Sequence, residues 1–95
     1  MNTSRLRELR AGRRVPLETL GKVIGKSKVS YIKKELGETP FKPDEVIALS
    51  KFYGLSYDEM NAIFYDSNLP IGNFEDYNRF LRALESTRSS VTEKE

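Results

Sequence analysis

The stretch from residue 17 to residue 37, LETLGKVIGKSKVSYIKKELG, decides the fold of this chain. Its apolar residues recur first at the spacing of one helix face, and Gly25 then supplies the backbone freedom that ends a helix in a left-handed turn. Ser27 follows as a good N-cap, because its hydroxyl oxygen can accept a hydrogen bond from a free amide of the next helix. We therefore expect two short helices joined by a tight turn, with the second ending at Gly37.

The second of these helices is predicted to have two contrasting faces. Tyr31 is the one large apolar anchor of its inner face, which also carries Ser27 and Lys34. The outward row consists of Lys28, Val29, Ile32 and Lys33. Lysines can contact phosphates or guanine edges, and small apolar groups can contact thymine methyls in the major groove. This helix-turn-helix arrangement indicates DNA recognition, and the alternative is a solvated charged face with two stray apolar residues.

Other positions fit the same arrangement. They are Arg10, Leu20-Gly21, Ile24-Gly25, Ser27, Glu35, Gly37 and Phe52-x-Gly54-Leu55-Ser56. With them, the segment from about residue 5 to residue 65, roughly two thirds of the chain, resembles the phage Cro/repressor family of helix-turn-helix domains, also called XRE-like. The resemblance implies an all-α, five-helix DNA-binding domain. Pro16, Lys26 and Lys34 depart from the family pattern, which affects individual contacts and not the fold.

The resemblance also implies roles for individual residues. An ion pair between Arg10 and Glu35 would tie the first helix to the end of the recognition helix, since guanidinium bonds a carboxylate in a planar, two-pronged way. The alternative is two surface residues that never meet. Base contacts are expected from Ser27, Lys28, Val29 and Lys33, with Ile32 at the edge. Contacts to the DNA backbone are expected from Arg14, Lys22, Lys42 and the amide of Thr39.

Composition excludes several kinds of chemistry. The 95 residues contain no cysteine and no histidine, which removes disulfides, thiolate nucleophiles, the usual zinc ligands and the commonest general base. We therefore expect no metal, no cofactor and no enzymatic activity. No apolar run is long enough for a transmembrane helix, and the N-terminus lacks the apolar segment of a signal peptide. We expect a cytoplasmic protein that does not associate with a membrane.

Charge is distributed unevenly along the chain. The formal net charge is only +2, but residues 1–34 carry ten Lys and Arg residues against two acids. The remainder of the chain is acidic overall. A basic half that contains the helix-turn-helix is the electrostatic pattern expected of a nucleic-acid-binding face, whereas a chance asymmetry in a small protein is the weaker alternative.

Three more helices complete the predicted domain, residues 1–65. The first covers residues 4–11 and stops at Gly12. The fourth begins at Pro43, a residue that suits a first helical position, and ends at Gly54. The fifth begins after Ser56, which forms a capping box with the glutamate three residues later, and continues to about residue 64.

A second amphipathic segment follows a predicted linker, residues 66–72. Asn73 can cap a helix over residues 73–87, and residues 88–95 are expected to be a disordered tail. The apolar stripe of this helix consists of Phe74, Tyr77, Phe80, Leu81 and Leu84. Such a stripe must be buried, either by folding back onto the five-helix core or by pairing with another chain. We slightly favour a contribution to dimerisation.

Two classes of function are consistent with these observations. The first is a sequence-specific regulator, a repressor of a phage or mobile element, that binds double-stranded DNA as a homodimer at an inverted repeat, with half-sites about 34 Å apart. An anti-repressor or another regulatory protein is a further candidate partner. The second is a protein-interaction module, antitoxin-like or anti-repressor-like, that works through the C-terminal helix. Salt-dependent duplex binding separates the two classes.

Overall fold

The computed structural model describes residues 1–69 and 72–83, and all regular secondary structure in these residues is helical. The helices are α1 (Thr3–Gly12), α2 (Leu17–Val23), α3 (Lys28–Glu35), α4 (Pro43–Tyr53), α5 (Tyr57–Tyr65) and a last helical stretch, α6, over residues 74–83. The predicted all-α fold is confirmed. Within this part of the chain, no helix has the length and apolarity needed to cross a bilayer.

Local hydrogen bonds explain why the helices begin where they do. The Ser27 hydroxyl oxygen accepts from the Ser30 amide at 3.1 Å and caps α3. Ser56 and Glu59 bond reciprocally at 3.1 and 2.9 Å, the predicted capping box of α5. Each bond satisfies an amide that has no partner inside its own helix, and a cap of this kind stabilises a helix by about 1 kcal/mol.

The ends of α1 differ from the prediction. The Asn2 side chain accepts from the Arg5 amide at 3.0 Å, so α1 begins one residue earlier than expected. Gly12 lies inside the helix as its last residue. The chain reverses at Arg14, which adopts a positive φ of 53°. The helix therefore ends at the predicted glycine, although the left-handed turn that follows is made by Arg14 and not by the glycine.

The core lies where α1, α2, α4 and α5 surround the inner side of α3. Its fully buried members are Leu6, Leu20, Tyr31, Leu49 and Met60. Complete burial of one such side chain contributes about 1.5–3 kcal/mol. The core therefore holds α3 by its inner face and leaves the opposite face towards solvent.

The α6 helix folds back onto α5 of its own chain. Tyr77 is buried as part of the core, and its hydroxyl shares a hydrogen bond with that of Tyr65. Phe74 and Leu81 are half-buried, whereas Phe80 is 55 % exposed. The last stripe residue, Leu84, and the predicted tail, residues 88–95, lie outside the described residues.

The segment before α6 is partly tied to α5. The Asn61 amide nitrogen donates to the Leu69 carbonyl at 3.3 Å, and the Asn61 amide oxygen accepts from the Leu69 N–H at 3.1 Å. Because both backbone groups of Leu69 are engaged, the described part of the predicted linker follows α5 closely.

Candidate nucleic-acid interface

A close approach between α2 and the start of α3 fixes the helix-turn-helix corner. A Cβ atom at Gly21 would lie 3.0 Å from the Lys26 carbonyl oxygen and 3.1 Å from the Lys28 amide nitrogen, tighter than ordinary contacts. Gly25 turns the chain with a φ of +69°, in the region that favours glycine. These two glycines set the angle at which α3 leaves α2.

The structure brings together Arg10 and Glu35 at the C-terminal end of α3. The Arg10 Nε atom donates to Oε2 and Nη2 donates to Oε1 of Glu35, both at 2.9 Å, which is the two-pronged arrangement. The buried Tyr31 hydroxyl also donates to Glu35 Oε2, at 2.8 Å. The hydrogen bonds to Glu35 raise the pKa of Arg10, so the guanidinium stays charged.

A second buried ion pair holds the same end of α3 and was not found from the sequence. The Lys34 ammonium bonds to Glu45 Oε1 on α4, and Lys34 and Glu45 are only 7 % and 2 % exposed. The same oxygen accepts from the Lys42 amide at 2.8 Å. Glu45 Oε2 is buried and has no hydrogen-bond partner in the described part of the chain. A lysine on the inner face of α3 was the available signal, because a buried ammonium needs a carboxylate.

The outer face of α3 carries the residues expected to contact bases. Lys28, Val29 and Lys33 are exposed, and Val29 is 60 % exposed. Ile32 is half-buried beside them, at the edge of the face. Ser27 is exposed at the start of the helix, but its oxygen is already the N-cap acceptor. We name this surface, residues 27–29, 32 and 33, the outer face of α3.

Leu36 extends the outer face in a way that the sequence analysis missed. It follows the last helical residue of α3 and is 51 % exposed. Val29 and Leu36 are seven residues apart, two helical turns, and Lys33 stands between them on the same side. The face therefore mixes ammonium and aliphatic groups along its whole length.

The residues expected to contact the DNA backbone are also exposed. Arg14 follows α1, Lys22 is in the last turn of α2, and Lys42 ends the loop before α4. The Thr39 amide donates to the Lys33 carbonyl at 3.4 Å. This bond engages the amide that was expected to contact phosphate, and the exposed Thr39 hydroxyl is the group that can do so instead.

Some of the cationic side chains form ion pairs within the chain, and others do not. Lys28 pairs with Glu18 on α2 at 3.0 Å. Arg13 donates to the Tyr53 carbonyl at 2.9 Å and its guanidinium lies 5.4 Å from the centre of the Tyr53 ring. Cations that make no ion pair with another described residue are Arg7, Arg13, Arg14, Lys22, Lys26, Lys33, Lys42, Lys51 and Arg82. Most of them belong to the helix-turn-helix and its flanking loops, where they are free to meet phosphates.

Over residues 1–69 and 72–83, no group of three or more acidic side chains is placed to hold a metal ion. The site is instead a surface of ammonium, guanidinium, hydroxyl and aliphatic groups. Such a surface can bind by charge and shape, which is how proteins contact a duplex.

Comparison with known families agrees with this geometry. Residues 3–63 match the family model described as a helix-turn-helix domain. No curated protein and no solved structure matches the chain. Helix-turn-helix domains place their second helix in the major groove of DNA, and the family is generally non-enzymatic.

Proposed function

Because the chain belongs to the helix-turn-helix domain family, we propose that it is a sequence-specific DNA-binding regulator that inserts the outer face of α3 into the major groove. One observation carries the proposal. The outer face exposes Lys33 and Val29 while the opposite face of the same helix is held by the core and by buried ion pairs. A helix held rigidly on one side is suited to read bases with the other.

Individual roles follow from position on this surface. Ser27, Lys28, Val29 and Lys33 contact base edges, and Ile32 contacts the edge of the groove. The flanking groups that hold the phosphates are Arg14, Lys22, Lys42 and the Thr39 hydroxyl. Ammonium groups suit guanine O6 and N7, and Val29 suits a thymine methyl. Phosphate contacts position the domain, and base contacts supply the sequence preference.

The regulator acts in our proposal as a homodimeric repressor of a phage or mobile element in the cytoplasm. Two copies would occupy an inverted repeat whose half-sites lie about 34 Å apart, one helical turn of DNA. In a dimer, binding of one domain raises the effective concentration of the other domain at the second half-site. A single small domain would bind one half-site only weakly. Repression would follow from occupation of a promoter, and an anti-repressor or similar protein is a candidate partner.

The proposed dimer contact is narrower than the whole apolar stripe of α6. Tyr77 is buried by its own chain, and Phe74 and Leu81 are half-buried there. Phe80 is more than half exposed, so it is the stripe residue most available to a second copy. Exposed aromatic groups are common anchors of interfaces. We therefore assign the dimer contact to the Phe80 side of α6.

Duplex selection tests the DNA-binding proposal. Bound duplexes are selected from a random pool, and binding of the selected duplex and of an unrelated duplex is then titrated at several salt concentrations. If Lys33 makes a good base contact, Lys33→Ala should weaken specific binding by about 1–3 kcal/mol. A contact to phosphate alone would weaken both duplexes alike and reduce the salt slope by about one.

Lys51→Ala provides the matched control for this titration. Lys51 is an exposed lysine of α4 that forms no ion pair with another described residue, and it lies outside the helix-turn-helix. The Lys51→Ala variant removes the same charge as Lys33→Ala and should weaken specific binding much less. If Lys33→Ala and Lys28→Ala both bind the selected duplex as tightly as the parent, the assignment of α3 as the recognition helix is wrong.

Oligomeric state tests the dimer proposal. Phe80→Ser should shift sedimentation towards the monomer and weaken binding to the inverted repeat while thermal stability is retained. Phe52→Ser changes another exposed phenylalanine, on α4, and should leave the oligomeric state unchanged. Truncation after Leu69 removes Tyr77 as well, so a large loss of stability with an unchanged oligomeric state would assign α6 to its own core alone.

A protein-interaction module is the second candidate function, and the exposed Phe80 is the observation that favours it. In that role, antitoxin-like or anti-repressor-like, the outer face of α3 would be an ordinary solvated surface. Binding of duplexes without any dependence on salt or sequence, or no binding at all, would support this second function over the first.

A further inference from the structure

We propose that Glu18 is a positioning residue that aims the Lys28 ammonium at a guanine and so sets the base preference at one position of each half-site. The inference rests on the proposed DNA binding by α3. Glu18 lies on α2, outside the recognition helix.

The contact itself is direct and joins the two helices of the motif. Glu18 Oε1 and Lys28 Nζ are 3.0 Å apart. Gly21 lies one helical turn beyond Glu18 on the same side of α2, and the missing side chain of Gly21 lets the Lys28 backbone approach. The close approach that forms the corner therefore also brings the carboxylate within reach of the first residue of α3.

Glu18 contributes only modestly to stability, as an acid in the first turn of α2. The Glu18 and Lys28 side chains are 61 % and 49 % exposed, and exposed pairs of this kind contribute little to folding. An acid on a surface that faces phosphates also opposes binding. Glu18 stays ionised, because a hydrogen bond from its own backbone amide and the bond from Lys28 lower its pKa. A charge that opposes binding and adds little stability points to a role in selectivity.

Lysine geometry explains how such a role works. The side chain is flexible, and its ammonium has three N–H donors. A carboxylate that holds one donor restricts the directions of the other two, and those two match the adjacent N7 and O6 acceptors of guanine. Lys33, which has no ion-pair partner among the described residues, lacks this restriction. The two lysines of the outer face should therefore differ in how strictly they require guanine.

The test is selection from a random duplex pool with the parent and with Glu18→Gln, Lys28→Ala and Glu8→Gln. The Glu8→Gln control removes the same charge from another exposed ion pair, with Arg5 on α1. The parent and the control should share a guanine preference at one position of each half-site. Lys28→Ala and Glu18→Gln should both lower discrimination at that position about tenfold.

Outcomes that overturn the inference are distinct from those that overturn DNA binding. The inference fails if Lys28→Ala lowers the preference for guanine and Glu18→Gln does not. It also fails if Glu18→Gln only raises the affinity for all duplexes alike, because Glu18 would then act as a general negative charge. In the Lys28→Ala background, Glu18→Gln should have no further effect on discrimination, and a further loss would contradict the coupling. A parent that selects no sequence would instead overturn the proposed function.

Discussion

The two ends of the recognition helix use the same kinds of charged groups for different purposes. At the C-terminal end of α3, Glu35 bonds to Arg10 of α1 and Lys34 bonds to Glu45 of α4, with three of the four side chains less than a tenth exposed. At the N-terminal end, Lys28 bonds to Glu18 with both side chains about half exposed or more. The first set holds the helix in the protein, and the second faces solvent.

Burial decides what each ion pair contributes. A buried charge that loses its partner cannot be solvated, so breaking a buried pair costs several kcal/mol. An exposed charge is solvated whether or not its partner is present, and its pair contributes at most about 1 kcal/mol. The C-terminal charges should therefore control stability, and the N-terminal charges should control what the helix binds.

The largest effect is expected at Glu35. Glu35→Ala leaves the Arg10 guanidinium partly buried without its carboxylate and removes the acceptor of the buried Tyr31 hydroxyl. We expect a loss of about 3 kcal/mol in the free energy of unfolding, the lower part of the range for buried pairs because the Arg10 side chain is 25 % exposed. Chemical denaturation measures it, with Glu38→Ala in the exposed loop as the control. Melting temperatures unchanged by both Glu35→Ala and Arg10→Ala would show that the pair makes no contribution.

A somewhat smaller effect is expected at Lys34. Lys34→Met leaves Glu45 buried without a cation, and breaking a buried pair costs about 3 kcal/mol or more. Although this pair is the more buried of the two, the net loss should stay below that of Glu35→Ala, because methionine fills the space of the lysine side chain whereas Glu35→Ala leaves a cavity. Adding Glu45→Gln removes the uncompensated charge and keeps an acceptor for the Lys42 amide. The double variant should therefore recover most of the loss in chemical denaturation. A double variant less stable than Lys34→Met would contradict the assignment of the penalty to the buried charge.

The smallest effect on stability is expected at Lys28. Lys28→Ala removes the exposed pair and Glu18→Gln removes its negative charge, so the free energy of unfolding should change by less than about 1 kcal/mol in each variant. Binding to a selected duplex should nevertheless change in both. A loss of stability as large as that of Glu35→Ala would remove the distinction between the two ends of α3.

Local signals in the sequence predicted the helix-turn-helix well. Gly25 and Ser27 act within a few residues of themselves, so their effect on the turn and on the start of α3 is readable without tertiary structure. The juxtaposition of Arg10 and Glu35 is different, because their 25-residue separation carries no local signal. It was expected only from the resemblance to a family.

Contacts between different helices could not be predicted from local sequence signals. Lys34 was placed on the inner face of α3, but its partner on α4 depends on how the two helices pack, which no spacing in the chain specifies. The α6 stripe likewise indicated burial without indicating what would cover it. The start of α1 could not be read precisely either, because several polar residues near the N-terminus could cap the helix. In the structure the Asn2 side chain does so, by accepting from the Arg5 amide.

The central claim is that the outer face of α3 reads DNA while its C-terminal end stays fixed in the protein. The most direct measurement is a titration of isotope-labelled full-length protein with the selected duplex, followed through backbone amide chemical shifts. The account predicts large shifts over residues 27–33 and at Lys22, Thr39 and Lys42, with small shifts over residues 57–65. Large shifts confined to α5 and α6, with α3 unmoved, would contradict it.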